Sequence, residues 1–554
     1  MQYGFIIDNR KCIGCHACTV ACKAEHEVPL GVNRTWVKYI EKGTYPNTAR
    51  HFSVMRCNHC EDAPCVEICP VTALYTRKDG IVDFDPRRCI GCKGCMQACP
   101  YDALYIDPDT HTAAKCNYCA HRVDIGLEPA CVNVCPEHAI ISGDMDDGST
   151  EIAQLLAKEQ VTVRKVEKDT KPRLYYIDGD EASLTPGETA TSDNYMWSSQ
   201  SDGVGHFARY VEERTAKADP EEMVRQLGGE GQDGQAGGSV QGGAGGQRDI
   251  GGPAGAESGS ERGNGKDAAA RRVYDAPDKG VLWGNDVAAY VWTKAISAGA
   301  FLLPFAASVF GYSVDPILAW AGCTVALTFL LATTILLVGD LTQPKRFLYV
   351  LLRPQWKSWL VLGGYALTLY GLALTLWATA MWTGRTGAAD VIGWITAALA
   401  VVTAVYTAFL FAQAKGRDFW QSPTLVLHML LHAVLAGAAV FAVVFLFSAP
   451  GENWLAFVRN TLIAAIILNL LVIASEMLTP HPTADARKAV QAIVRGRYRG
   501  YFWVLGIAIG NLAPVVMAWI GGEALLAAAG AGVLIGLYAT EYVWVRAPQD
   551  IPLS

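Results

Sequence analysis

Two regions of opposite character divide this 554-residue chain: an α+β amino-terminal part organised around cysteine, and an all-α carboxy-terminal part of eight transmembrane helices. Two observations predict that division. Sixteen of the seventeen cysteines fall within the first 135 residues, whereas the chain closes with about 260 strongly apolar residues that carry Trp and Tyr near segment ends. A chain of this length exceeds one ordinary core. The composition places the cysteine-rich part at 1–215, a linker dominated by Gly, Ser, Asp, Glu and Gln at 216–280, and the apolar part at 281–554. The net charge of −7 is modest and gives no nucleic-acid signature.

The cysteines come in four groups of four: Cys12, Cys15, Cys18, Cys22; Cys57, Cys60, Cys65, Cys69; Cys89, Cys92, Cys95, Cys99; and Cys116, Cys119, Cys131, Cys135. A zinc site takes its ligands as two separated pairs. Here the first and third groups each place four sulfurs within eleven residues, and Pro follows Cys69, Cys99 and Cys135. The C-x2-C-x2-C-x3-C run is that of cubane ligation, giving three thiolates to one cluster and the fourth to its neighbour, so the chain is expected to hold four [4Fe-4S] clusters. The even count alone would also admit a disulfide framework, but the spacing argues against it. Cys12-Ile13-Gly14-Cys15-His16 matches a covalent haem attachment pattern, yet Cys18 and Cys22 continue the run. Cys12-Ile-Gly-Cys-His-Ala-Cys and Cys89-Ile-Gly-Cys-Lys-Gly-Cys are near copies, so this part reads as a duplicated ferredoxin-like domain. Short strands are expected at 36–40, 81–84, 104–106 and 173–177, each β-branched or aromatic and bounded by Asp, Pro or Gly.

Residues 228–265 hold many glycines and almost no large apolar side chains, so they read as a flexible tether. Spanning helices are expected near 283–311, 316–338, 357–382, 391–413, 424–448, 455–478, 500–520 and 523–545. An even number puts both ends of this part on one side. The loops on that side and the tail carry twelve Lys and Arg, from Lys345 to Arg546, against only Arg385 and Arg459 opposite. The asymmetry assigns the cysteine domain to the cytoplasmic face of the plasma (inner) membrane. The first ten residues, with no export signal, agree.

The four cysteine groups, including C-x2-C-x4-C-x3-C at 57–69 and C-x2-C-x11-C-x3-C at 116–135, resemble the four-cluster electron-transfer subunit of the dimethyl sulfoxide reductase and polysulfide reductase families. The apolar part resembles the NrfD-type quinone-binding subunit of polysulfide reductase, with Gly339-Asp-Leu-Thr-Gln-Pro-Lys-Arg-Phe347 similar to that family's D-L-x-x-P-x-R-F stretch. The resemblance implies exchange of ligands between groups. Cys12, Cys15 and Cys18 would share a cluster with Cys135, and Cys116, Cys119 and Cys131 with Cys22. Likewise Cys57, Cys60 and Cys65 would join Cys99, and Cys89, Cys92 and Cys95 would join Cys69. It also implies a separate large catalytic subunit with a molybdopterin guanine dinucleotide cofactor. The function implied is a respiratory oxidoreductase subunit passing electrons between that partner and menaquinone or ubiquinone. The alternative is an energy-coupling conduit between a hydrogenase or a multihaem cytochrome and quinone. Fusion through a long linker and the cytoplasmic orientation depart from the commoner arrangement.

Quinone chemistry couples electrons to protons and needs hydrogen-bond partners for the ring oxygens plus a titratable group. Ionisable residues within a bilayer are costly and point to function. Asp340, Glu476, Glu541, His432 and Lys294 are the candidates for proton handling, with Lys294 about 16 Å along the first helix from Trp283. Asn285, Asp286, Tyr290, His428 and Arg346 are candidates for contacts to the ring. The bland reading of Asp340 is a salt bridge to Arg346 or another loop base, and that of Lys294 a buried partner for a carboxylate. His428 and His432, four apart, share a helix face that admits a metal, but no histidine on a second span completes a haem. Asn469 and Asn511 read as interhelical bonds.

Overall fold

A computed structural model describes residues 1–44, 46–191, 270–276, 279–447 and 451–554. Most of the stretch read as a linker therefore lies outside the described residues, including all of 228–265.

The amino-terminal part is a duplicated ferredoxin-like α+β domain with, among the described residues, two four-stranded sheets and two small hairpins. Its strands are β1 (Tyr3–Asp8), β2 (Thr35–Thr44), β3 (Asn47–Arg56), β4 (Leu74–Thr76), β5 (Val82–Phe84), β6 (Leu104–Ile106), β7 (Ala113–Lys115), β8 (Ile140–Asp144), β9 (Val161–Thr162), β10 (Leu174–Ile177), β11 (Ala190–Thr191) and β12 (Arg271–Tyr274). The first sheet runs β8-β1-β10-β9, with β1 parallel to β10 and antiparallel to β8. Phe5, Ile6 and Ile7 are all buried, which fits a strand covered on both faces. β2 and β3 form a long hairpin from Thr35 opposite Arg56 to Thr44 opposite Asn47. The four expected strands appear as β2, β5, β6 and β10; β1, β3 and β8 carry similar residues but escaped the sequence reading.

Duplication is visible in the backbone. Gly14 and Gly91 adopt φ of 69° and 72°, and His16 and Lys93 adopt 61° and 59°, at matching places in the two copies. These left-handed residues curl each loop so that N–H groups face the sulfurs, an anion-holding concavity.

The end of the segment read as linker is ordered. β12 adds to the edge of β2, Arg271 opposite Glu41, because Val273 and Tyr274 bring an apolar side chain to the cysteine domain that the Gly-rich sequence before them lacks.

Among the described residues, eight helices are long and apolar enough to cross a membrane: α1 (Asn285–Val309), α2 (Pro316–Gly339), α3 (Trp359–Trp382), α4 (Thr386–Gln413), α5 (Leu425–Val444), α6 (Glu452–Leu478), α7 (Tyr501–Ile520) and α8 (Glu523–Arg546). α1 is central, with 83% of its spanning window buried against 28% for α2 and α7. It lies backbone to backbone on α5, where a Cβ at Gly299 would collide with the Ala433 carbonyl. The first twelve residues of α7 are wound as π-helix, and Asn511 Nδ2 donates to the Gly506 carbonyl at 2.8 Å within that stretch.

The two parts dock through the D-L-x-x-P-x-R-F-like loop. Arg346 Nη1 donates to the Cys89 and Pro86 carbonyls at 3.0 and 2.8 Å, and Lys93 Nζ lies 3.0 Å from Asp340 Oδ1. Gly91 is required here on two counts, its positive φ and a Thr342 side chain that any Cβ would strike. Behind it, Ser358 Oγ donates to the Ile68 carbonyl at 2.7 Å and Arg417 Nε to Gln97 Oε1 at 2.8 Å.

Candidate functional site

The cysteines converge between groups rather than within them. One cavity is lined by Cys12, Cys15, Cys18 and Cys135, and another by Cys69, Cys89, Cys92 and Cys95. Cys22 has Cys116, Cys131 and Cys119 as its charge neighbours, and Cys65 has Cys99, Cys57 and Cys60. All seventeen cysteines are free of disulfides. Backbone N–H groups turn to the sulfurs: Ala73 to Cys69 and Ala139 to Cys135 at 3.2 Å, and Gly91 and Ala113 to Cys89 at 3.4 Å. Soft donors in fours with N–H groups aimed at sulfur suit iron–sulfur cubanes. Burial pushes the thiols of Cys18, Cys99 and Cys119 up to about 11 and that of Cys116 to about 12, so taking up metal must release protons.

Next to Cys92 lies a cavity of about 280 Å³ shared by both parts of the molecule. Ile90 and Cys92 form its roof, and α1 to α4 with the loop after α2 form its walls. The lining is apolar except for Tyr290, Thr334, Asp340, Thr368 and Tyr406. Thr334 and Thr368 are exposed on the outer surface of α2 and α3, so the cavity opens sideways. Such a shape, mostly hydrophobic with few polar groups, suits a ring-bearing apolar ligand. Trp283 ties roof to wall, its Nε1 donating to the Cys92 carbonyl at 3.1 Å. Burial raises the Asp340 pKa, and Lys93 opposes that rise.

A second polar region lies deeper and is closed. His428 Nδ1 is 2.9 Å from Glu476 Oε2, and His432 Nδ1 is 2.6 Å from Glu541 Oε1. The two imidazoles face each other at 4.1 Å between centroids. Thr424 Oγ1 donates to Glu476 at 2.9 Å. All four side chains are at most 3% exposed, and charges this deep are tolerated because they are paired. Ligand atoms of His428, His432 and Glu541 lie within 4.8 Å of one another, close enough to hold a metal ion.

The sequence candidates thus separate. Tyr290 and Asp340 line the cavity, while His428, His432, Glu476 and Glu541 form the paired region. Lys294 joins neither by a direct bond: its Nζ donates to the Ala404 carbonyl at 3.0 Å and to Thr407, and lies 4.9 Å over the Tyr406 ring. Arg346 is a docking residue and does not line the cavity, because its guanidinium is taken up by carbonyls of the cysteine domain. Asn285 and Asp286 are exposed at the start of α1, and Asn285 Oδ1 accepts from Arg546 at 3.3 Å. The base paired with Asp340 is Lys93, on the other domain, instead of Arg346. Asn469 Nδ2 donates to Asn511 Oδ1 at 3.1 Å, joining α6 to α7. Sequence reasoning missed Trp283, Tyr406, Thr334 and Thr368, which read as ordinary span residues.

Comparison with known proteins agrees with this architecture. Two 4Fe-4S dicluster domain models match residues 11–74 and 48–145, and the polysulphide reductase, NrfD, model matches residues 276–551. A tetrathionate reductase subunit from Salmonella typhimurium is 43% identical over 189 residues, 33% of this chain and 76% of that protein. A polysulfide reductase component from Wolinella succinogenes is 41% identical over 179 residues, 32% of this chain and 94% of that protein. A putative dimethyl sulfoxide reductase iron-sulfur subunit from Halobacterium salinarum is 39% identical over 216 residues, 34% of this chain and 81% of that protein. The chain therefore belongs to the family of iron–sulfur electron-transfer subunits of such reductases, and joins that subunit to an NrfD-type multi-pass membrane domain in one polypeptide.

Proposed function

We propose that this chain carries electrons through four [4Fe-4S] clusters between a separate catalytic subunit and quinone in the membrane. The observation that carries the reading is the cavity whose roof is Cys92 and whose walls hold Tyr290 and Asp340, since it puts a cluster ligand and polar groups around one apolar space. The four clusters are held by Cys12, Cys15, Cys18 and Cys135; by Cys22, Cys116, Cys119 and Cys131; by Cys57, Cys60, Cys65 and Cys99; and by Cys69, Cys89, Cys92 and Cys95. When bound, each supplies one-electron storage and transfer.

The protein's own residues do the rest. A menaquinone or ubiquinone ring enters between α2 and α3, and the phenols of Tyr290 and Tyr406 offer hydrogen bonds to its oxygens. Reduction of the ring to quinol takes two electrons and two protons, and oxidation returns them. One proton exchanges at Asp340, which lies at the cluster-side edge of the bundle. A second moves along Glu476, His428, His432 and Glu541, a row whose Glu476 end meets Thr424 at the start of α5. The base asymmetry supports a cytoplasmic position for the cluster domain.

Cys15 is exposed, and Ile13, Val20 and Ile125, in the segments that carry the Cys12–Cys22 and Cys116–Cys135 groups, are 54%, 64% and 72% exposed, which supports a partner protein covering that part of the domain. The partner suited to this role is a molybdopterin guanine dinucleotide subunit, since the relatives are subunits of reductases. Metal analysis of the complex purified through this chain tests it: molybdenum or tungsten in a large partner is expected, and nickel, or haem alone, would overturn it. For the proton row, Glu476→Gln is expected to slow quinone turnover with all clusters intact; unchanged turnover would remove Glu476 from the mechanism.

A further inference from the structure

Arg56 closes β3, and its side chain is 1% exposed in the middle of the cysteine domain. Nη1 donates to Cys131 Sγ at 3.0 Å, and the guanidinium carbon lies 4.8 Å from the centre of the Phe5 ring. Nε and Nη2 have no hydrogen-bond partner among the described residues, and no carboxylate there forms an ion pair with the group. A guanidinium does not lose its proton inside a protein. Buried without a counter-charge it would strongly destabilise the fold.

The sulfurs that act on it electrostatically are those of Cys131, Cys18 and Cys116, drawn from two different cysteine sets. Lys115 makes a useful contrast. It is equally buried, but its Nζ is taken up by the carbonyls of Val82 and Cys116, as a lysine with a structural role would be. Arg56 keeps two N–H faces for something the polypeptide does not supply.

We propose that Arg56 is the shared counter-ion of the clusters on Cys12, Cys15, Cys18 and Cys135 and on Cys22, Cys116, Cys119 and Cys131, and that its charge raises the reduction potentials of both. The inference rests on the ligand sets proposed above. Reduction adds one electron to a cluster, with no bond made or broken and no proton moved. The added negative charge is stabilised by a fixed cation nearby, more strongly in a buried, low-dielectric setting than in water. One residue thereby holds two neighbouring sites at raised potential, and the cluster beside Cys92 lies outside its reach.

The test is an EPR-monitored redox titration of the whole protein in membranes. Arg56→Gln is expected to lower the one-electron reduction equilibrium of both remote clusters at least tenfold, about 59 mV, with the cluster beside Cys92 unmoved. Arg56→Lys, which keeps the charge, is expected to recover most of the shift. A Gln variant holding four clusters at unaltered potentials overturns the proposal. Iron and sulfide content of the wild type tests the underlying ligand sets separately, since fewer than four clusters would fail those first. Should both variants lose iron, the wild type labelled with ¹⁵N-arginine carries the test. A ¹⁵N hyperfine coupling to the reduced remote clusters is expected, and its absence overturns the proposal.

Discussion

The cavity under Cys92 and the His–Glu region behind it are neighbours built by opposite rules. The first is open to one side and lined by apolar groups with polar atoms at intervals. The second is sealed, with each imidazole matched to a carboxylate. An apolar space with a door accommodates a ring-bearing molecule, whereas a closed row of titratable pairs accommodates only a proton or a single ion. If the first region binds quinone and the second delivers protons, as proposed, substitutions in the two should fail differently.

The largest effect is expected from Cys92→Ala, which removes a thiol proposed to bind a cluster at the roof of the cavity. Quinol-driven reduction of the remaining clusters, followed by stopped-flow absorbance, should be abolished. Glu541→Gln comes next. It removes a charge facing His432, and turnover should fall by about 100-fold while KM for quinone stays unchanged. A raised KM with unaltered kcat would merge the two regions into one site. Thr368→Trp fills the cavity mouth and should raise KM about tenfold with little change in kcat, as overpacking blocks occupancy. Steady-state kinetics with a soluble quinol analogue separates these two variants. Lys93→Ala should be mildest. It breaks the ion pair to Asp340, whose members are 17% and 14% exposed, and should weaken docking by roughly 1 kcal/mol. Thermal unfolding of the detergent-solubilised protein reads that change, and KM should stay constant.

What could be read from the sequence follows from how local each signal is. Cubane ligation demands four thiolates at short spacing, so Cys12 to Cys22 declared its chemistry within eleven residues. A span declares itself through length and hydropathy alone, and α1 to α8 fall close to their expected positions. The cavity had no such signal. Trp283, Tyr406 and Thr368 lie far apart in the sequence and acquire meaning only when Cys92 is lowered onto them. Glu476 and His428 stood out individually as costly intramembrane groups, but their pairing joins residues 48 positions apart. Arg346 misled because a cationic side chain in a family-like motif suggested a ligand, whereas backbone carbonyls of the other domain absorb it. Arg56 stayed silent because an arginine beside a cysteine in a polar domain is unremarkable until its burial is seen.

The strand β12 has a consequence for the covalent continuity of the molecule. It shortly precedes the membrane helices in the sequence yet is built into the cysteine-domain sheet, between β11 and β2. Backbone hydrogen bonds therefore grip the membrane half from the outside, as a peptide grips a sheet it augments. If the gene were split so that one polypeptide ended after Thr191 and the other began before Arg271, the two products should still find each other. Deleting 271–274 from an unbroken chain should be the more damaging cut, because the covalent connection would survive and the grip would not.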